Sequence, residues 1–221
     1  MKTTIKDPQL ISFQTLRKAV GWLGILLPVM MFAGNWLLSD CRSLQDSISH
    51  YYYTVTGDLL VGVLCAVALF LFCYKGYNSS DQTWTSLAGA FALCVALFPT
   101  HNNSTDSCAV IDLPAHEIVR VVHYASAAAF FLILAGISLF LFTKSRGVMT
   151  KEKRLRNKIY RVSGIVILLC IVLIGWYGLS RGDLPWSRHK PVFWLEAIAL
   201  WAFGTSWLVK GEFILEDGSQ N

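Results

Sequence analysis

Residues 19–38 read AVGWLGILLPVMMFAGNWLL, twenty positions without a single charge. At 1.5 Å per residue that is about 30 Å of helix, the thickness of a bilayer's hydrocarbon core. The run is too long for the core of a signal peptide. It passes into Ser39-Asp40 without a small-x-small cleavage pattern, so it is expected to stay in the chain. Pro28 lies in its middle, removes one backbone donor and is expected to kink the helix.

Similar runs follow outward from this one. Further spans are expected at 54–74, 83–99, 114–143, 159–178 and 191–211. Pro114 and Pro191 suit first-turn positions. The 221 residues are 54% hydrophobic and 15% charged, against about one quarter charged in soluble domains. Mean hydropathy is +0.49. The helices lack the polar face that a soluble bundle needs. The expected fold is therefore all-α: one polytopic membrane domain, 1–221, of six transmembrane helices.

The net charge of +5 does not indicate nucleic acid, because no basic face carries interleaved aromatics. The charge is distributed by topology instead. With the N-terminus inside, 14 of the 19 Lys and Arg residues fall on the cytoplasmic side, many of them in the basic loop 144–158. The other five are Arg42, Arg120, Arg181, Arg188 and Lys190. This asymmetry predicts that both termini are cytoplasmic, with anionic lipid as the partner of the basic loops. Short loops point to a bacterial inner membrane.

The polar residues of the spans gather on the outer side. All five histidines, His50, His101, His116, His123 and His189, fall there. So do the carboxylates Asp58, Glu117 and Glu196. Ionisable groups within a membrane are costly and usually face a cavity or a partner. The expected site is Asp58, His116, Arg120, His123 and Glu196, with His50 or His101 at its mouth. His116, Arg120 and His123 are spaced to share one face of the fourth helix. Ser47, His50, Tyr51 and Asp58 line one strip if the second helix begins before Ser47.

Three chemistries fit such a cluster. Asp58, His116 and His123 are acceptable zinc ligands, and a zinc-bound water with Glu196 as general base would hydrolyse a lipid or amphiphile. Against zinc, the two histidines are about 10 Å apart along the helix, and no HExxH or paired-cysteine motif is present. Without metal, Arg120 would hold a phosphate or carboxylate headgroup while His123 and Asp58 move a proton. The third chemistry is a transport path. An inert cluster that only fixes helix packing is the bland counterpart, with Glu117 paired to Arg120.

Smaller features add detail. Cys41 and Cys108 lie in outer loops and are candidates for a disulfide. Cys65, Cys73, Cys94 and Cys170 read as packing residues. Tyr51, Tyr52 and Tyr53 read as an aromatic belt or, alternatively, place one hydroxyl in the outer cavity; Trp194 and Trp207 near the ends of the last span read as interfacial anchors. Alanine and glycine in the third and fourth spans suggest close helix approach. The acceptor pattern Asn102-Asn103-Ser104-Thr105 is treated as a chance match.

The stretches ISHYYYTVTGDLLVG (48–62), LAGAFALCVALFPT (87–100) and HEIVRVVHYASAAAFF (116–131) resemble bacterial multi-span membrane proteins of the damage-regulated autophagy modulator type. The resemblance covers about 40% of the chain. It is carried by Ser47, Ser49, Tyr51 and Tyr52, by Phe98-Pro99, and by His116 or His123. Thr100 stands where such proteins often have an acidic residue. It implies no assigned activity. A fainter likeness, to ceramidase and adiponectin-receptor type hydrolases, rests on Asp58, His116 and His123 and implies lipid hydrolysis. The leading reading is an integral membrane protein with a structural, sensor or partner- and lipid-binding role around an outer polar cavity. A membrane hydrolase, with zinc as a candidate cofactor, comes second and a small-solute or proton-coupled transporter third.

Overall fold

The computed structural model describes residues 8–76, 78–101, 108–113, 116–144, 149–180 and 187–214. Pro114 and the Asn102–Thr105 motif lie outside them. Among these described residues six long helices follow in order: α1 (Pro8–Leu38), α2 (Gly57–Cys73), α3 (Ser79–Leu97), α4 (Glu117–Gly136), α5 (Lys151–Leu179) and α6 (Pro191–Lys210). A 3-10 turn, Ile48–Tyr53, precedes α2, and α4 continues as a π-turn over Ile137–Leu141. No strand occurs among the described residues.

Each helix packs against its sequence neighbours, and α1 closes the ring against α6. One end of the bundle carries the Cys41–Cys108 disulfide, with Cα atoms 5.2 Å apart. The other carries the start of α5, with Lys151, Lys153, Arg154, Arg156 and Lys158. These are called the disulfide end and the basic end below.

The chain is a membrane protein by the length and composition of its helices. Phe13–Leu38, Glu117–Leu141, Lys151–Leu179 and Pro191–Lys210 are each long and apolar enough to cross a bilayer. Helix α2 is as apolar but has 17 residues, about 25 Å. Helix α3 has 19 residues but opens with the polar run SSDQTWTS. Large apolar side chains point outward around the ring, among them Leu69, Leu132, Phe140, Val172 and Leu179. Water would penalise so much exposed apolar surface; hydrocarbon does not.

Several expectations need correction. Residues 151–158 do not form a loop. Thr150 caps α5 by accepting from the Lys153 N–H at 3.2 Å, and the Lys, Arg and Glu that follow are good helix formers. Trp207 is not an interfacial anchor: it is 0% exposed, stacked edge-on between Tyr74 and Phe142. Tyr51 and Tyr53 are likewise buried rather than in a belt. Among the small residues, Gly89 of α3 sits at a close approach, where a Cβ would lie 3.0 Å from the Ala68 carbonyl oxygen of α2. Ala88 and Ala92 of α3 are fully buried, but Ala125 and Ala128 of α4 are exposed.

Another close glycine-mediated approach joins α1 and α6. A Cβ on Gly204 of α6 would come 2.6 Å from the carbonyl oxygen of Gly21 in α1. Nearby, Trp201 Nε1 donates to the Ile25 carbonyl at 3.1 Å, beside the turn where Pro28 removes a donor. At the basic end Asp81, buried in the first turn of α3, pairs with Lys144 at 2.5 Å.

Candidate functional site

The site begins where α3 stops. Pro99 forces the preceding residue out of helical geometry, and Phe98 sits at φ −110°, ψ 96°. The Phe98 N–H still donates to Cys94 at 2.9 Å, but its carbonyl leaves the helix direction. It meets His123 Nδ1 of α4 at 2.6 Å. A carbonyl oxygen only accepts, so Nδ1 carries the proton. In the neutral ring Nε2 is then an acceptor. The Ser49 hydroxyl lies 3.0 Å from Nε2 and donates to it. His123 is 3% exposed, so this chain of two hydrogen bonds defines the ring's orientation.

Ser49 is held by the 3-10 turn, which is itself fastened from several directions. Ser47 caps it, accepting from the His50 N–H at 3.3 Å, with its hydroxyl hydrogen-bonded to His50 Nδ1 at 2.6 Å. Glu196 of α6 accepts from the Ile48 N–H at 2.6 Å. Thr54 donates to the Tyr51 carbonyl at 2.9 Å. The Tyr53 hydroxyl donates to the Thr100 carbonyl, and the Val110 N–H donates to the Tyr53 carbonyl at 2.8 Å. Gly57 lies so close behind that a Cβ there would meet the Tyr52 carbonyl oxygen at 2.2 Å. These ties leave Ser49 little freedom to move relative to His123.

A cavity of about 810 Å³ lies between α4, α5 and the start of α6 at the disulfide end. Its volume is within the range of small-molecule sites. Ser49, His123 and Glu196 stand at its depth, where a smaller apolar recess lined by Leu60, Leu64, Phe130 and Leu200 begins. Asp46, His50 and Lys190 form a polar end, with Lys190 Nζ 2.5 Å from Asp46 Oδ1. The long walls are Ala127, Ala128 and Phe131 of α4 facing Ile171, Ile174, Gly175 and Gly178 of α5. Gly175 and Gly178 are exposed, and a Cβ on either would meet nothing within 4 Å. The small side chains of these alanines and glycines leave space between the two helices. Val172 and Leu179 of α5 are exposed apolar residues. Burial holds the His50 imidazole below its ordinary value of 6.5, despite the opposing pull of Asp46. Burial likewise pushes the Tyr51 hydroxyl up to about 12.

The expected site residues divide into three groups. His123 and Glu196 share the main cavity with His50. Arg120 and His116 line a separate cavity of about 230 Å³ with His101, and Arg120 pairs with Glu117. Asp58 is exposed in the first turn of α2 and lines neither cavity. It shares no strip with Ser47 and His50, because the chain changes from a 3-10 turn to α-helix between them.

The zinc trio of Asp58, His116 and His123 is therefore corrected: the three side chains do not converge. Among the described residues, no three His, Cys, Asp or Glu side chains are placed to hold a metal ion. Ser49 and the Phe98 carbonyl were not among the expected site residues. The signal was present in the Phe98-Pro99 step, which frees a carbonyl from the helix ladder. Its target could be identified only in three dimensions.

Toward the basic end the buried polar residues include Asp81, Thr85, Ser138, Arg156, Ser163 and Ser206. There the Ser138 hydroxyl of the π-turn donates to Ser206 of α6 at 3.1 Å. No protein-family model matches the chain, and no curated protein or solved structure matches it either.

Proposed function

We propose that this membrane protein binds a lipid or another single amphiphile in the cavity between α4 and α5. The observation that carries this reading is the cavity's two-part wall. An apolar side is built from alanine, glycine and isoleucine, and a polar end holds Lys190, Asp46 and His50. An acyl chain suits the first part and a headgroup the second. Six crossings, with both termini cytoplasmic and the disulfide end outside, complete the proposal. The supporting facts are the 14-to-5 division of Lys and Arg and a disulfide at the end that would face an oxidising compartment. On this reading the host membrane is a bacterial inner membrane.

The test uses Gly175→Phe. Gly175 lines the cavity and a Cβ there meets nothing within 4 Å, so the substitution adds bulk at the cavity wall. Native mass spectrometry of protein reloaded with a phospholipid or a free fatty acid, each in turn, reads binding directly. Wild-type protein retains one amphiphile, and Gly175→Phe loses it at an undiminished melting temperature. Equal retention by the two proteins, or none by wild type, would refute the cavity as the binding site.

A further inference from the structure

We infer that Ser49 and His123 form a nucleophile and general-base pair that cleaves a carboxylic ester of the bound amphiphile; the inference rests on the amphiphile-binding reading above. Three features of a built acyl-transfer site are present. The nucleophile and base lie within hydrogen-bond reach, Ser49 Oγ to His123 Nε2 at 3.0 Å. The base is oriented by a third group, the Phe98 carbonyl on Nδ1 at 2.6 Å, which leaves Nε2 free of its proton. The pair also borders the cavity rather than being sealed in the core, with Ser49 only partly buried.

The second serine–histidine pair nearby lacks these features. Ser47 and His50 are three residues apart on one turn, and the Ser47 hydroxyl is engaged as the turn's cap. Ser49 and His123 come from elements 74 residues apart. Helix interiors and turns do not require such a contact for their own hydrogen bonding.

The reaction proceeds in two balanced halves. Ser49 Oγ attacks the ester carbonyl carbon as His123 Nε2 takes the hydroxyl proton. The tetrahedral intermediate collapses, its C–O bond to the alcohol breaks, and His123 returns the proton to the departing alkoxide. Water then attacks the acyl-serine as His123 removes one of its protons. The second collapse releases the fatty acid and restores the Ser49 hydroxyl from His123. The acyl chain lies along Gly175 and Gly178, with the alcohol portion toward Lys190 and Asp46. A carbonyl as orienter supplies no negative charge to the imidazolium, so turnover is expected to be slow beside that of a carboxylate-containing triad.

The experiment uses the full chain in mild detergent with an alkyl fluorophosphonate. Displacement of fluoride by Ser49 Oγ leaves a stable adduct, located by peptide mass mapping. One adduct on Ser49 is expected, absent in Ser49→Ala, and formed about a hundredfold more slowly in His123→Asn. The wild-type labelling rate rises with pH and then levels as His123 loses its proton, which a purely structural hydrogen bond does not produce. A long-chain p-nitrophenyl ester is hydrolysed by wild type and not by Ser49→Ala. Melting temperature and amphiphile retention show that the variants are folded. Unlabelled Ser49 in protein that still retains the amphiphile overturns the inference and leaves the binding reading standing. Undiminished ester hydrolysis by Ser49→Ala does the same. Failure of wild type to retain any amphiphile overturns both.

Discussion

Removing the Cys41–Cys108 disulfide should cost this protein several kcal/mol, and the structure bounds the figure. The two cysteines are 67 residues apart in sequence. If the whole intervening chain were flexible when unfolded, closing that loop would contribute about 4.4 kcal/mol at 25 °C. Most of the segment, however, is α2 and α3, which stay helical in a detergent or bilayer. Counting only the connecting residues, about 30 of them, the contribution falls to about 3.6 kcal/mol.

The logarithm makes the two limits nearly equal, so the prediction is sharp. A chain of this size should lose roughly 8–16 °C in melting temperature. Thermal unfolding in mild detergent, followed by tryptophan fluorescence, checks it with Cys41→Ser, Cys108→Ser and the double variant. All three should fall together, and reductant should bring wild type to the same value. A double variant that melts within about two degrees of wild type would refute the reasoning. So would alkylation of both cysteines in unreduced, denatured protein. The loss should also loosen the 3-10 turn that carries Ser49, since Val110, two residues past Cys108, is hydrogen-bonded to Tyr53.

Other perturbations separate packing from site architecture. Gly204→Ala places a methyl group 2.6 Å from the Gly21 carbonyl oxygen and should destabilise by about 1–3 kcal/mol, whereas Gly178→Ala, with open space around it, should not; chemical or thermal unfolding reads both. Glu196→Leu leaves the Ile48 N–H without its acceptor and should cost about 1–3 kcal/mol, while Glu196→Gln, which keeps an acceptor, should cost less. His50 has a folded value below its unfolded 6.5, so its contribution to stability is complete above 6.5 and is lost as pH falls through the folded value. Melting temperature measured from about pH 8 to about pH 5 should fall at the acid end, and His50→Asn should flatten that limb.

The elements of the fold were legible for a local reason. A segment that must satisfy its backbone internally in hydrocarbon becomes a helix, and uncharged runs such as 19–38 declare this without reference to the rest of the chain. Boundaries are less legible where polar residues are good helix formers, and by composition alone the basic start of α5 resembles a loop. The site was legible only in outline. Its location at the disulfide end follows from where the histidines fall, and His123 and Glu196 were identified. Sequence position alone groups Asp58, His116 and Arg120 with them, because helix spacing describes one helix at a time. It does not say which neighbour each face meets.

The chain's own order of residues thus determined an all-helical membrane protein whose polar groups gather at one end. The tertiary structure alone decided which of them meet. The Phe98 carbonyl, released by Pro99, aims His123 at a serine 74 positions away, and the glycines of α5 leave room beside that pair. Apolar periodicity is a one-dimensional record of solvent. Convergence of side chains depends on how α3, α4, α5 and the 3-10 turn pack, and that is a property of the whole bundle.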